Sequence, residues 1–232
     1  MAIQRLFVAN RGEIAVRVIR AAQALGLETV QAYSEADKDM LAVQLADDAI
    51  QIGPPPAAKS YLNIGALIAA AREAGCDAVH PGYGFLSESP VFAEAVEQAG
   101  MIFVGPTAET IRRMGDKAAA RSLALEAAVP VVPGSVGAVA TLDEAVSVAD
   151  EIGYPVMIKA AAGGGGRGIR IARSETELRS LAPQARTEAK AAFGDGALYL
   201  ERALENPRHI EVQILGDSHG NCIHLGEREC SI

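Results

Sequence analysis

Between Arg5 and Gly105 the apolar residues switch repeatedly between a period of two and a period near 3.6, and few folds accept that alternation. RLFVAN (Arg5 to Asn10) reads as a strand. A helical stripe follows at Ile14, Val18, Ala21, Ala22 and Leu25, stopped by Gly26. Strand signals return at Glu28 to Tyr33, Ala49 to Ile52, Asp77 to His80 and Met101 to Gly105. Helical signals lie between them at Asp39 to Ala46, from a Ser60 cap to Glu73, and from Ser89 to Gln98. Strands alternating with helices imply right-handed crossovers and a mostly parallel, doubly wound sheet. Ligands of such sheets bind beyond the strand C-termini, where NRGE (Asn10 to Glu13) and HPGYGFLSE (His80 to Glu88) lie.

The remainder changes character. Thr107 to Met114 and Asp116 to Ala127 read as two helices broken near Gly115, and VPVVPGS (Val129 to Ser135) as a proline-punctuated strand or linker. Capping-box patterns open helices at Thr141–Glu144 and Ser174–Glu177, the second helix being interrupted by Pro183. Strands are expected at Pro155 to Lys159, Gly168 to Ala172, Ala197 to Arg202, His209 to Gly216 and Asn221 to Arg228. The last two form a short sheet with an unpaired edge.

Composition narrows the partners. Half of the 232 residues are hydrophobic, which excludes disorder, and the net charge of −8 opposes coating of nucleic acid or an anionic membrane. Charge at Arg5 interrupts any signal-peptide core, and the apolar run Ile64 to Ala71 is too short to span a bilayer. Three cysteines without a CxxC pair fit reduced thiols in the cytoplasm and give no metal site.

The strongest local feature is Lys159 to Gly168, KAAAGGGGRG. Gly163, Gly165 and Gly168 satisfy GxGxxG, but a strand follows instead of the required helix, and no GK[ST] supports a Walker A loop. What remains is a glycine-rich hairpin tip whose bare N–H groups, with Lys159 and Arg167, suit phosphate oxygens. A flexible hairpin without chemistry is the competing reading, against which stands the ordering cost of four adjacent glycines. Lys117 alone reads as a solvated lysine, and His80 as a structural histidine. Glu201 to Leu204 is either an ordinary hairpin exit or a backbone edge offered to a base.

Taken in order, NRGE, SYLN (Ser60 to Asn63), HPGYGFLSE, FVGP (Phe103 to Pro106), MGDK (Met114 to Lys117), GYPVMIKA (Gly153 to Ala160), GGGGRG (Gly163 to Gly168), EAKAAFG (Glu188 to Gly194) and ENPRHIEVQ (Glu205 to Gln213) closely resemble biotin carboxylase. That family includes the free bacterial subunit of acetyl-CoA carboxylase and the equivalent regions of propionyl-CoA and pyruvate carboxylases. The resemblance runs from Gln4 to the last residue. It implies an α/β ATP-grasp ligase that activates bicarbonate with MgATP to carboxyphosphate and carboxylates N1′ of biotin. It implies a pre-ATP-grasp doubly wound parallel sheet over 1–115, linker helices and an α+β ATP-grasp lid over 116–203, and the first strands of the ATP-grasp core over 204–232.

Carried over by that resemblance, Lys117 and Lys159 contact nucleotide phosphates, and Gly165 and Gly166 lie in the loop closing over them. Glu201, Arg202, Ala203 and Leu204 form the adenine edge, and His209 contacts the nucleotide. Arg202 stands where the family usually has lysine, a change of little weight if backbone groups make the contact. The implied partners are a biotin carboxyl carrier protein or domain, a carboxyltransferase, and a second copy docking through the N-terminal domain, with Arg17 and Arg20 as contact candidates. The family continues for roughly as many residues again. That half carries the Mg²⁺ ligands, the bicarbonate-binding residues, the catalytic arginine and the biotin contacts. Neither catalytic nor metal-ligating residues are therefore expected within these 232. Two alternatives stand beside this reading. One is a non-catalytic nucleotide-binding or dimerisation fragment. The other is an ATP-grasp ligase of carbamoyl-phosphate synthetase type, which would not be expected to carry HPGYGFLSE, EAKAAFG and ENPRHIEVQ together.

Overall fold

Leu6, Phe7 and Val8 are all buried, as a strand covered on both faces requires. They belong to β1 (Arg5–Val8), the middle strand of a five-stranded parallel sheet ordered β3-β2-β1-β4-β5. The others are β2 (Glu28–Ser34), β3 (Asp48–Gly53), β4 (Ala78–His80) and β5 (Ile102–Phe103). The computed structural model describes residues 3–115, 117–160, 169–194, 196–217 and 219–231, and the chain divides into units 1–123 and 124–232.

In the first unit, alternation along β1 decides which helices cover which face. Leu6 and Val8 pack with Ala15, Val18, Ile19 and Ala22 of α1 (Gly12–Ala24) and Ala42 of α2 (Leu41–Leu45). Phe7 faces the larger core, with Leu67 and Ala71 of α3 (Ile64–Glu73) and Phe92 and Val96 of α4 (Pro90–Gln98). Ile111 of α5 (Ala108–Gly115) joins it. α4 begins at Ser89, as expected, and Ser89 caps it with Pro90 in its first turn. α3 begins later than expected. Asn63, not Ser60, caps it by accepting from the Ala66 N–H, while the Ser60 hydroxyl donates to the Pro56 carbonyl of a preceding 3₁₀ turn. The helix expected over Asp39 to Ala46 contracts to α2, preceded by a 3₁₀ turn at Glu35–Asp37.

That turn places the carboxylate of Asp37, only 3% exposed, where Ser34 Oγ, Tyr61 Oη and Arg11 each donate to it at 2.7 Å. Phe85 stacks on Tyr61 with ring centroids 5.1 Å apart.

The second unit, which begins within the last turn of α6 (Lys117–Glu126), contains a half-covered antiparallel sheet. β6 (Val156–Ala160) lies between β7 (Arg170–Ala172) and β8 (Leu198–Arg202). Both capping patterns open helices, with each glutamate accepting from the N–H one residue before the cap, Ala140 and Arg173. Thr141 and Glu144 cap α7 (Leu142–Ile152), and Ser174 and Glu177 cap α8 (Glu175–Phe193). The expected interruption at Pro183 is wrong, because α8 continues through it. Leu178, Ala182 and Ala185 are buried on the sheet, and that packing outweighs the lost helical bond. β9 (Ile210–Gly216) and β10 (Cys222–Glu229) form a separate hairpin with a bulge between His224 and Glu227. Its turn is held by Asp217, whose Oδ1 accepts from the His219 and Asn221 N–H groups. Ile210, Val212, Ile214, Leu215, Ile223 and Leu225 are all exposed on it.

Burial pushes the Tyr61 hydroxyl from 10.0 up to about 12, the hydrogen bond to Asp37 adding to the effect, and burial raises the Cys76 thiol from 9.0 to about 11. Both groups stay protonated in the folded state after the unfolded chain has lost its protons. The unfolded state then binds fewer protons, so stability is full below pH 9 and falls as pH rises toward about 12. Urea midpoints measured by circular dichroism should decline across that window, and Tyr61→Phe should flatten the part above pH 10. A flat profile in the parent chain would contradict the burial argument.

Candidate functional site

Two places carry groups that could hold a ligand, one in each unit. In the first, the strand order reverses on either side of β1, and the loops after β1 and β4 meet at that switch point. The Asn10 amide donates to the carbonyls of Pro81 (2.7 Å) and Tyr83 (2.8 Å), while its oxygen accepts from the Arg11 N–H. Gly82 is required beneath it, since a Cβ there would lie 2.7 Å from Asn10 Nδ2 and its φ is +64°. His80 Nδ1 accepts from the Gly82 N–H at 3.0 Å, and burial lowers its pKa below the ordinary 6.5. This is the structural histidine expected. The Tyr83 hydroxyl donates to Glu13, and a cleft of about 410 Å³ lies among Asn10, Arg11, Glu13, Tyr83 and Phe85. A groove of about 600 Å³ on α1 and α2 is lined by Val16, Arg17, Arg20 and Leu41.

In the second unit, Val156 and Ile158 of β6 and Leu198 and Leu200 of β8 are buried toward α7 and α8, and Ala160 is buried as well. Period two therefore turns Met157, Lys159, Tyr199 and Glu201 to the opposite face. Met157 is paired with both Glu201 and Ile171, so this face is apolar around a charge pair. Lys159 Nζ is bound to Glu201 Oε1, with the side chains 24% and 21% exposed. A pair this far out of water is costly to break from one side, because the remaining charge is left uncompensated.

Beyond Glu201 the backbone becomes available. The Arg202 N–H donates to the Pro133 carbonyl and the Ser135 N–H to the Leu200 carbonyl, both at 2.8 Å. On the other edge the Ala203 N–H donates to the Pro155 carbonyl at 2.9 Å. In an antiparallel ladder each of these paired residues would return a bond through its own N–H. Proline has none, so no described residue donates to the Arg202 or Ala203 carbonyl. The Leu204 N–H likewise has no partner among the described residues, and strand alternation puts it on the Arg202 edge. Gly134 permits this approach. A Cβ there would lie 2.7 Å from the Leu200 carbonyl oxygen and 3.1 Å from Glu201 Cβ.

Of the residues singled out from sequence, Lys159 and Glu201 are brought into contact, and Arg202, Ala203 and Leu204 continue from them. The Arg202 side chain is exposed. His209 is exposed; its N–H donates to Ser231 Oγ and its carbonyl accepts from the Cys230 N–H, and no bond links its imidazole to Lys159 or Glu201 among the described residues. Lys117 opens α6, its side chain lying outside the described set, and Gly165 and Gly166 lie outside the described residues. Among the described residues no three His, Cys, Asp or Glu side chains group as a metal site. Sequence reasoning missed Pro133, Gly134 and Pro155. The signal for Pro133 and Gly134 was the VPVVPGS string, read as a proline-punctuated strand or linker, and that for Pro155 was the start of the PVMIK strand.

Residues 2–111 match the family model for the biotin carboxylase N-terminal domain, and residues 116–232 that for the carbamoyl-phosphate synthase L chain ATP-binding domain. The chain is 55% identical over 230 residues to biotin carboxylase 1 of Bacillus subtilis, covering 99% of this chain and 51% of that protein. A biotin carboxylase–β,γ-ATP complex from Campylobacter jejuni superposes with a TM-score of 0.92 at 50% identity, covering 99% of this chain and 51% of that one. The biotin carboxylase domain dimer of Hydrogenobacter thermophilus 2-oxoglutarate carboxylase, solved with MgADP, ADP and bicarbonate, gives 0.91 at 51% identity. It covers all of this chain and 51% of that one. The chain thus spans about half the length of these relatives.

Gly134→Ala should push the Leu200–Arg202 segment away from residues 133–135. The expected cost is about 1–3 kcal/mol in the second unit, as for other overpacked sites, with faster amide exchange at Arg202 and Ser135. Unchanged exchange at both amides would mean that the contact is not needed.

Proposed function

The chain belongs to the biotin carboxylase family, and from that premise we propose that it supplies the nucleotide-holding part of an MgATP-dependent biotin carboxylation. The observation that carries this reading is the half-buried face of β6 and β8. There an apolar surface, one lysine and a backbone edge without a partner among the described residues lie together, which suits a flat base at one end and a polyphosphate at the other. Lys159, with Lys117 and the loop holding Gly165 and Gly166, would receive the phosphates. Glu201 to Leu204 would receive the base edge, and His209 would add a further nucleotide contact. In this reading 1–115 is the pre-ATP-grasp domain, 116–203 the linker helices and lid, and 204–232 the opening of the core.

The roles of these groups follow from the chemistry. A lysine beside transferring phosphates neutralises charge that builds during transfer, and closure of a glycine loop keeps water from carboxyphosphate. Release of Lys159 from Glu201 is then part of nucleotide binding, since one ammonium cannot fully serve both anions. Mg²⁺ would supply further charge neutralisation on the phosphates. No described cluster fits it here, so no step of this proposal passes through it. The bicarbonate and biotin chemistry is assigned to the whole family protein, of which relatives are about twice this length. The partners proposed are a biotin carboxyl carrier protein or domain, a carboxyltransferase and a second copy contacting Arg17 and Arg20, in the cytoplasm. Among the described residues no helix is long and apolar enough to cross a membrane.

Calorimetry on the 232-residue chain should detect MgATP binding, and Lys159→Ala should weaken it about tenfold, the 1.4 kcal/mol scale of a charge-assisted contact. The same chain should not carboxylate free biotin. Mg-dependent carboxylation by these residues alone would overturn the division of labour proposed, and ATP binding indifferent to Lys159 would overturn the site.

A further inference from the structure

Pro133 faces the one carbonyl on the nucleotide edge that would otherwise be consumed by the ladder, and we infer that this proline sets the base preference of the chain. The inference rests on the nucleotide reading above and adds a residue that touches no ligand. Residues 133 and 202 face each other as a hydrogen-bonded antiparallel pair, fixed by the 2.8 Å bonds from Arg202 N–H to Pro133 and from Ser135 N–H to Leu200. Any residue other than proline at 133 would carry an N–H aimed at the Arg202 carbonyl and would close the pair. Pro133 leaves that carbonyl without a donor among the described residues while still accepting from Arg202, so the strand is held and the acceptor is spared.

The spared carbonyl sits on the same edge as the Leu204 N–H, giving an acceptor followed by a donor. A 6-amino purine presents the complement, an amino donor beside a ring-nitrogen acceptor. A 6-oxo purine presents the reverse, setting carbonyl against carbonyl. Closing the Arg202 carbonyl with a protein N–H would remove the acceptor and leave an amino group unpaired on binding, whereas a purine without a 6-substituent would lose nothing. Pro133 is thus a positioning residue for specificity, acting through the Arg202 backbone. Pro130, exposed in the same stretch, is in no strand or bridge pairing among the described residues and serves as a control for proline removal in itself.

The test compares ATP with purine riboside 5′-triphosphate by calorimetry on the parent chain, Pro133→Ala, Pro133→Gly and Pro130→Ala, all as the 232-residue chain. The parent and Pro130→Ala should prefer ATP by about tenfold. Pro133→Ala should lose most of that preference, through weaker ATP binding with the analogue unchanged. The new amide at 133 should be protected from hydrogen exchange, and Pro133→Gly supplies the same N–H should the alanine variant fail to fold. A preference retained in the Pro133 variants, or an unprotected amide at 133, overturns this inference while the nucleotide reading stands. A parent chain that binds neither triphosphate overturns both.

Discussion

Helices α7 and α8 cover one face of a three-stranded sheet, and everything distinctive about the second unit follows from the face they leave open. Period two forces each strand to send every other side chain there, so a lysine and a glutamate must find each other on an otherwise apolar surface. The pair is stable because each charge answers the other. It also holds the only charges of that face between β6 and β8 among the described residues, Met157 and Tyr199 being the other side chains the two strands send there. The covered face supplies the packing that fixes β6 and β8, and the open face presents Lys159 and Glu201.

The two units solve the same problem with different means. In each, a loop or strand must approach the end of a sheet closely and be fixed there by particular hydrogen bonds. The first uses a side chain, Asn10, to tie down the carbonyls of the loop after β4, and a glycine to let the loop approach. The second uses backbone chemistry, with two prolines that accept from the strand but cannot donate back to it. In both, the shape of the end is set by which hydrogen bonds are forbidden as much as by which are made.

The alternating first hundred residues were legible because a buried parallel sheet writes its period directly into sequence, and both capping patterns opened helices for the same local reason. The errors were also local signals, outweighed by their surroundings. Ser60 is a competent cap, but the chain turns there through a 3₁₀ segment and Asn63 takes the position. Pro183 is a competent breaker, but the alanine face around it is buried on the sheet. Lys159 and Glu201 were each singled out, yet their contact was not, since 42 positions separate them and only the β6–β8 register joins them. The meaning of Pro133 was hidden for the same reason. A proline's missing N–H matters only when the carbonyl opposite it is known, and that carbonyl lies far along the chain.

The central place of β1 has a further bearing on how the molecule is made. β2 and β3 build outward from one side of β1, so that half of the first sheet can assemble from neighbouring segments as they emerge from the ribosome. The other side of β1 waits for Ala78–His80, whose partners are Leu6 to Val8, and then for Ile102 and Phe103. Until then the nascent chain carries an open strand edge in the middle of its future core. That edge of β1 is closed only once β4 has been made, so the central strand is the first of the sheet to be synthesised and among the last to be fully paired.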